Sequence, residues 1–117
     1  MTDADSLPLS LTEVPPTGHR TTQLRRYVLV PGTEQDFLVW WRERIVPGRV
    51  AAGFSVDYAS FEAESRRFVW ATSAAGSADD FLTLERKWLE GQTRAAAFAG
   101  EPQRVESMDN SLVERLA

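Results

Sequence analysis

The chain has 117 residues, of which 43% are hydrophobic and 10% aromatic, so it can bury one core without a metal or a disulfide. It contains no cysteine, which excludes disulfides, thiolate catalysis, iron–sulfur clusters and cysteine-bound zinc. Its net charge of −4 argues against a nucleic-acid-binding protein.

Residues 1–20 include Pro8, Pro15, Pro16 and Gly18 and show no hydrophobic periodicity. This composition predicts a flexible N-terminal arm, followed by a single domain over residues 21–117. The arm has neither the basic stretch nor the apolar stretch of a secretory leader. No segment approaches the roughly 20 apolar residues of a membrane span. We therefore expect a cytoplasmic protein that does not associate with membranes.

The first predicted strand covers residues 21–30, where the side chains alternate between two faces. One face carries Gln23, Arg25, Tyr27 and Leu29, and the other carries Leu24, Arg26, Val28 and Val30. Pro31 and Gly32 end this strand. Thr33 is then predicted to cap a helix, with Asp36 completing a capping box.

This first helix is expected to run to about Ala52, where Gly53 follows as a C-terminal cap. Its apolar stripe consists of Phe37, Leu38, Trp41 and Ile45. Pro47 has no backbone N–H and is expected to kink or shorten the helix near Arg44.

Two strands are predicted next, joined by the polar turn at residues 62–65 into an antiparallel hairpin. In the earlier strand, Phe54, Val56 and Tyr58 are assigned to one face, and Ser55, Asp57 and Ala59 to the other. The later strand covers residues 66–74, with Phe68, Trp70 and Thr72 on one face.

A second helix is predicted to begin after Ser77, which caps it together with Asp80. Its apolar stripe consists of Phe81, Leu84 and Trp88. A short helical segment is expected over residues 93–98 and a last strand over residues 103–108. The pattern does not assign the tail from Asp109 onward.

The sequences TEQDFL, from Thr33, and SADDFL, from Ser77, repeat with an offset of 44 residues, and each follows a strand. The element order is therefore βαββαβ. This order predicts the α+β ferredoxin-like fold, a four-stranded antiparallel sheet with two helices on one face. The other face carries large side chains, which suggests a homodimer that closes two sheets into a barrel.

Residues 22–109 resemble the NIPSNAP family of the dimeric α+β barrel superfamily. The family pattern is an E-L-R-x-Y strand, a Pro-Gly turn and a helix with F-x-x-x-W-R. The chain matches it at Leu24, Arg25, Tyr27, Pro31, Gly32, Phe37, Trp41 and Arg42, whereas Gln23 replaces the acidic residue. A second matching segment contains Phe68, Trp70 and Phe81.

The resemblance implies the fold and the dimer, but it leaves the activity open because the family has no single agreed reaction. The superfamily includes cofactor-independent monooxygenases, isomerases, cyclases and haem-binding members, and fold analogy does not choose among them. Haem-binding relatives use a helical histidine as the iron ligand. The only histidine here, His19, precedes the first strand, so we expect no haem and no other cofactor.

Arg25 and Tyr27 are the leading candidates for ligand binding, because a cation and a phenol on one strand face could hold an anionic or carbonyl group. The alternative is an exposed arginine beside a packed tyrosine. Three further aromatic residues are candidates for an apolar cavity, with core packing as their alternative role: Trp40, Tyr58 and Trp70. Trp40 and Trp41 lie about 100° apart on a helix, so they are not expected to face the same point.

Asp57 is a candidate general base if it is buried, although a solvent-facing position in a strand is the more usual one. His19 could serve as a base only if the arm folded against a pocket. No metal-ligand spacing occurs. Two functions therefore remain open. One is a small-molecule-binding protein that acts as a cofactor-independent enzyme on a hydrophobic or aromatic metabolite. The other is a non-enzymatic ligand-binding or assembly module.

Overall fold

The computed structural model describes residues 19–116. The elements in chain order are β1 (Arg20–Leu29), α1 (Glu34–Trp40), a π-helical turn (Trp41–Ile45), α2 (Val46–Ala51), β2 (Ser55–Glu62), β3 (Arg67–Ala75), α3 (Ala78–Glu90), α4 (Gln92–Phe98) and β4 (Val105–Val113). The predicted arm lies outside the described residues except for its last two, and the second of these, Arg20, already belongs to β1.

The four strands form one antiparallel sheet in the order β2-β3-β1-β4, with the helices on one face. This is the predicted ferredoxin-like arrangement. Its two central strands, β1 and β3, each lead into a helical segment, so both helical segments begin at neighbouring positions on the sheet. Among the described helices, none is long and apolar enough to cross a membrane.

The alternation predicted for β1 is confirmed. Arg25, Tyr27 and Leu29 are buried beneath the helices, whereas Arg26 is exposed on the opposite face. Pairing with β3 extends this division, because Tyr27 lies opposite Phe68 and side chains paired across neighbouring strands share a face. The apolar core therefore fills the space between the sheet and the helices.

The Pro31–Gly32 turn explains why the first predicted capping box does not form. The Thr33 N–H donates to the carbonyl oxygen of Val30 at 3.1 Å, and Gly32 has φ +87°, as the third residue of a type II turn requires. This turn leaves Thr33 at φ −106° and ψ 5°, outside the extended conformation of an N-cap. Its hydroxyl donates to Val30 instead of accepting from the helix. The box predicted at Ser77 is confirmed.

The predicted disturbance near Arg44 is a π-helical turn rather than a break. The Val46 N–H donates to the carbonyl oxygen of Trp41, five residues back, and α2 then continues to Ala51. Pro47 lies in the first turn of α2, directly after the π-helical turn, so its missing N–H coincides with the change in the helical hydrogen-bonding pattern.

A β-bulge in β2 contradicts the predicted faces of that strand. Val56 pairs with Thr72, but Tyr58 pairs with the very next residue of β3, Ala71, so Asp57 is the extra residue. Tyr58 is therefore turned to the face without helices, where it is 55% exposed. We call this surface the helix-free face; it also carries Leu24, Arg26, Val28, Val69 and Ala71.

The last strand is longer than predicted. β4 continues through the tail that the pattern did not assign and ends at Val113, because it pairs along β1 as far as Thr22. The pairing sets Met108 opposite Tyr27 and Asn110 opposite Arg25, so these two side chains join the helix-covered face.

Candidate functional site

A cavity of about 270 Å³ lies between the sheet and the helices. All four tryptophans of the chain line it: Trp40, Trp41, Trp70 and Trp88. Tyr27, Phe37 and Phe98 add further aromatic surface. The volume is just below the usual range of small-molecule sites, roughly 300–1,000 Å³, which suits a molecule of one or two rings.

Trp40 and Trp41 both line this cavity, but each contacts a different part of its wall, as expected from their separation of about 100° on a helix. The Trp41 ring packs edge-on against Trp70, with 5.4 Å between centroids. The Trp40 ring packs against Phe98 at 4.9 Å, and its indole N–H donates to the carbonyl oxygen of Ala97 at 2.9 Å. Trp40 ends α1 and Trp41 begins the π-helical turn, so the cavity wall includes both elements.

The π-helical turn also explains how Arg49 reaches the cavity. On an α-helix, each step of four residues rotates the side-chain direction by about 40° more than one full turn. In a π-helical turn the hydrogen bond joins residues five apart, so the turn is wider and this extra rotation is smaller. Trp41, Ile45 and Arg49, each four residues from the next, consequently all line the cavity.

Arg49, Glu85 and Arg25 form a buried cluster at the cavity wall. Arg49 donates to both carboxylate oxygens of Glu85, at 2.6 and 3.2 Å. Arg25 Nη1 lies 3.6 Å from Glu85 Oε2. Both carboxylate oxygens of Glu85 are therefore already engaged by guanidinium groups, which makes Glu85 poorly placed to remove a proton from a ligand.

Burial lowers the pKa of Arg49 from its ordinary value, although its hydrogen bonds to the Glu85 carboxylate act in the opposite direction. The guanidinium carbon lies 4.7 Å from the ring centroid of Phe54 and 5.1 Å from that of Trp88. The cation is therefore stabilised by one carboxylate and by aromatic faces rather than by water.

Arg25 and Tyr27 lie together, as their spacing on β1 predicts. Arg25 Nε donates to Tyr27 Oη at 2.9 Å, and Arg25 Nη1 donates to Gln23 Oε1 at 2.6 Å. The remaining nitrogen, Nη2, has only the sulfur of Met108 at 3.8 Å. Arg25 is 8% exposed and Tyr27 6%, so the alternative of a solvent-facing arginine does not hold.

Three of the sequence-predicted candidates lie away from the cavity. Tyr58 is on the helix-free face because of the bulge in β2. Asp57, the bulged residue, pairs with Arg115 at 3.7 Å. His19 accepts a backbone hydrogen bond from Gly76 and lines a surface cleft instead. The structure therefore brings together Arg25, Tyr27, Trp40 and Trp70, and separates the other three from them.

Sequence reasoning missed Arg49 and Glu85, although each carries a positional signal. Glu85 lies four residues after Phe81 and three before Trp88, within the apolar stripe of α3. Arg49 continues the four-residue spacing of Trp41 and Ile45. Opposite charges on the buried stripes of two helices indicate a buried ion pair.

Solved structures with the same fold include NIPSNAP family proteins. One from Agrobacterium tumefaciens has a TM-score of 0.70 at 19% identity, covering 82% of this chain and 92% of that one. An uncharacterised NIPSNAP-like domain protein from Burkholderia xenovorans has a TM-score of 0.70 at 16% identity, with coverages of 85% and 87%. The predicted resemblance to this family is confirmed at the level of the fold.

A candidate antibiotic biosynthesis monooxygenase from Bacteroides thetaiotaomicron is also similar, with a TM-score of 0.64 at 16% identity and coverages of 85% and 91%. No protein-family model and no curated protein matches the sequence. At these identities the structural matches establish the fold and leave the activity to be argued from the site.

Proposed function

We propose that this protein is a NIPSNAP-like small-molecule-binding protein whose cavity takes a hydrophobic or aromatic molecule. The observation that carries the proposal is that all four tryptophans of the chain line one cavity. Aromatic side chains provide large apolar contact areas and stack on planar ligands. Filling a core alone does not explain a cavity of about 270 Å³ among them.

The experiment is a titration with 2-naphthamide, a neutral two-ring molecule, followed by calorimetry and by the indole N–H signals of ¹⁵N-labelled protein. Each of the four tryptophans gives one such signal, and we expect several of them to shift together. If neutral one-ring and two-ring aromatic molecules leave all four signals unchanged, the cavity is not a binding site and the proposal is wrong.

A more specific form of this proposal is that the protein is an enzyme. A cofactor-independent monooxygenase, isomerase or cyclase would have to orient its substrate and remove a proton from it. Arg25 and Tyr27 could polarise a carbonyl group, and the Bacteroides structure gives the fold a neighbour associated with oxygenation.

One observation favours the second candidate function, ligand binding without catalysis. Glu85 is the only carboxylate among the described residues that line the cavity, and two arginines hold it. Asp57, the sequence-predicted base, lies elsewhere and is paired with Arg115. Incubation of the protein with an enolisable aromatic ketone in D₂O separates the two functions: exchange of the α-proton supports an enzyme, and binding without exchange supports a carrier.

We also propose that the protein is a cytoplasmic homodimer joined through the helix-free face. Support comes from Tyr58, 55% exposed, and from the half-buried Leu24, Val28 and Val69 on the same surface. A self-complementary contact between two such sheets would bury these side chains. Neither nucleic acid nor membrane is part of the proposal.

A further inference from the structure

The buried charges at the cavity do not balance. Arg25 and Arg49 bring two positive charges, and Glu85 brings one negative charge, within hydrogen-bonding or ion-pair distance of each other. All three residues are at most 9% exposed. Because buried charge is costly without a partner, the cluster would be stabilised by one more negative charge.

The buried hydrogen-bonding groups show a similar imbalance, because some donors in the described part of the chain have no acceptor. Within residues 19–116, three buried donors have no acceptor: Trp41 Nε1, Trp70 Nε1 and Arg49 Nε. The acceptors on Glu85 and Gln23 are already used, because both oxygens of Glu85 bind Arg49 and the Gln23 side-chain oxygen binds Arg25. Asn110 also lines the cavity, but it is exposed to water. The surroundings of the cavity are therefore rich in donors and short of acceptors.

Two donors on buried side chains remain for a ligand in the cavity, besides the more exposed Arg94 and Asn110 that also line it. The three donors without acceptors each expose less than 1 Å², so they lie beneath its surface. Arg25 Nη2 has only a weak sulfur acceptor at 3.8 Å. The Tyr27 oxygen accepts from Arg25 Nε, which leaves its own proton free to donate elsewhere. Both side chains line the cavity.

We infer that the ligand is an aromatic anion, of which a carboxylate is the simplest form, docked with its acceptor on Arg25 Nη2 and Tyr27 Oη and its ring among the tryptophans. Glu85 acts as a positioning residue, since it fixes Arg49 and borders Arg25. This inference rests on the proposed function and narrows its ligand class.

The test compares 2-naphthoate with 2-naphthamide, which has the same ring system but carries no charge. Calorimetry gives the two dissociation constants, and the indole N–H signals show that both molecules enter the cavity. A charged hydrogen-bonding pair contributes enough to predict a preference for naphthoate of roughly tenfold to a hundredfold.

Arg25→Gln is the decisive variant, and Arg26→Gln is its matched control. Arg26 is the next residue on β1, has the same charge and faces away from the helices, where it pairs with Asp109. We expect Arg25→Gln to lose the preference for naphthoate and keep its affinity for naphthamide, which also shows that it folds. Arg26→Gln should keep both the preference for naphthoate and the affinity for naphthamide. Tyr27→Phe should lower the preference about tenfold.

The outcomes separate the inference from the proposed function. Equal affinities for the two molecules in the unmodified protein would overturn the inference and leave small-molecule binding intact. A preference that survives Arg25→Gln would also overturn it, because the anion would then be held elsewhere. Binding of neither molecule would contradict both proposals.

Discussion

Arg49 and Glu85 join the two helical segments through a bidentate ion pair, with Arg49 Nη1 2.6 Å from Glu85 Oε1. The pair links α2 to α3 directly above the sheet, and both side chains are almost fully buried. Paired buried ions contribute little net stability, but removal of one partner leaves an uncompensated charge. Substitution of either partner alone should therefore destabilise the fold strongly.

Substitution Glu85→Gln should destabilise the protein by about 3–5 kcal/mol, because it leaves the charges of Arg49 and Arg25 buried without a carboxylate. Urea denaturation measures the change in the free energy of unfolding. Glu90→Gln, at the exposed end of the same helix, is the control and should change stability by less than about 0.5 kcal/mol. Equal effects of the two substitutions would contradict the buried cluster.

Gly48 should not accept a larger side chain. A Cβ at this position of α2 would lie 3.0 Å from Cη2 of Trp88 and 3.3 Å from Cγ2 of Thr93. Gly48→Ala should therefore shift the buried Trp88 ring by a few tenths of an ångström. We expect the cost of this overpacking, about 1–3 kcal/mol, to exceed the gain in helix propensity, about 1 kcal/mol, and to destabilise the protein. Thermal unfolding gives the stability, and a shifted Trp88 indole signal would locate the strain. An unchanged or stabilised variant would show that α2 and α3 separate easily.

The two repeated helix starts should respond differently to alanine. Ser77 accepts a hydrogen bond from the Asp80 N–H, and the Asp80 carboxylate accepts one from the Ser77 N–H. Ser77→Ala should cost about 1 kcal/mol. Thr33→Ala should cost less than about 0.5 kcal/mol. The Thr33 hydroxyl donates to the carbonyl oxygen of Val30, and this oxygen still accepts a hydrogen bond from the backbone N–H of residue 33 in the variant. Denaturation of both variants under the same conditions tests the difference, and equal costs would contradict it.

A bulky side chain at the cavity mouth should weaken ligand binding without changing the fold. Leu89 lines the cavity yet is 50% exposed, whereas Leu82, on the same helix and 46% exposed, does not line it. Leu89→Trp should lower the affinity for 2-naphthamide at least several-fold, since the larger ring narrows the entrance. Leu82→Trp should leave it unchanged by calorimetry. If the two variants bind alike, the ligand enters by another route.

Local patterns predicted the architecture because its determinants are local. The alternation around Tyr27, the turn at Gly32 and the capping box at Ser77 each specify one element, and the order of elements then limits the topology. The bulge at Asp57 escaped prediction because it depends on pairing with β3 rather than on the residues of β2. One extra residue was enough to turn Tyr58 to the opposite face.

The sequence predicted Arg25 and Tyr27 as site residues but not Arg49 and Glu85, for a related reason. Arg25 and Tyr27 share a strand face, so their neighbourhood follows from a period of two. Arg49 and Glu85 are 36 residues apart and meet only once α2 and α3 pack together. Charged residues on helices are usually solvent-exposed, so the position of each one on an apolar stripe indicates burial only when the opposite charge on the other helix is considered with it.

The proposed dimer makes a prediction that depends on a single exposed tyrosine. Tyr58→Glu places a charge on the helix-free face, where two copies would meet, and burial of this charge without a partner would oppose association. Its position, 55% exposed in the single chain, makes a folded monomer the expected product. Native mass spectrometry should give twice the chain mass of 13.1 kDa for the unmodified protein and the single mass for the variant.

Val39→Glu provides the matched control, because Val39 is 46% exposed on α1, on the other side of the sheet. This variant should remain dimeric. A monomeric unmodified protein would remove the dimer altogether. A Tyr58→Glu variant that stays dimeric would place the contact elsewhere, and the half-buried Leu24, Val28 and Val69 would then need another explanation.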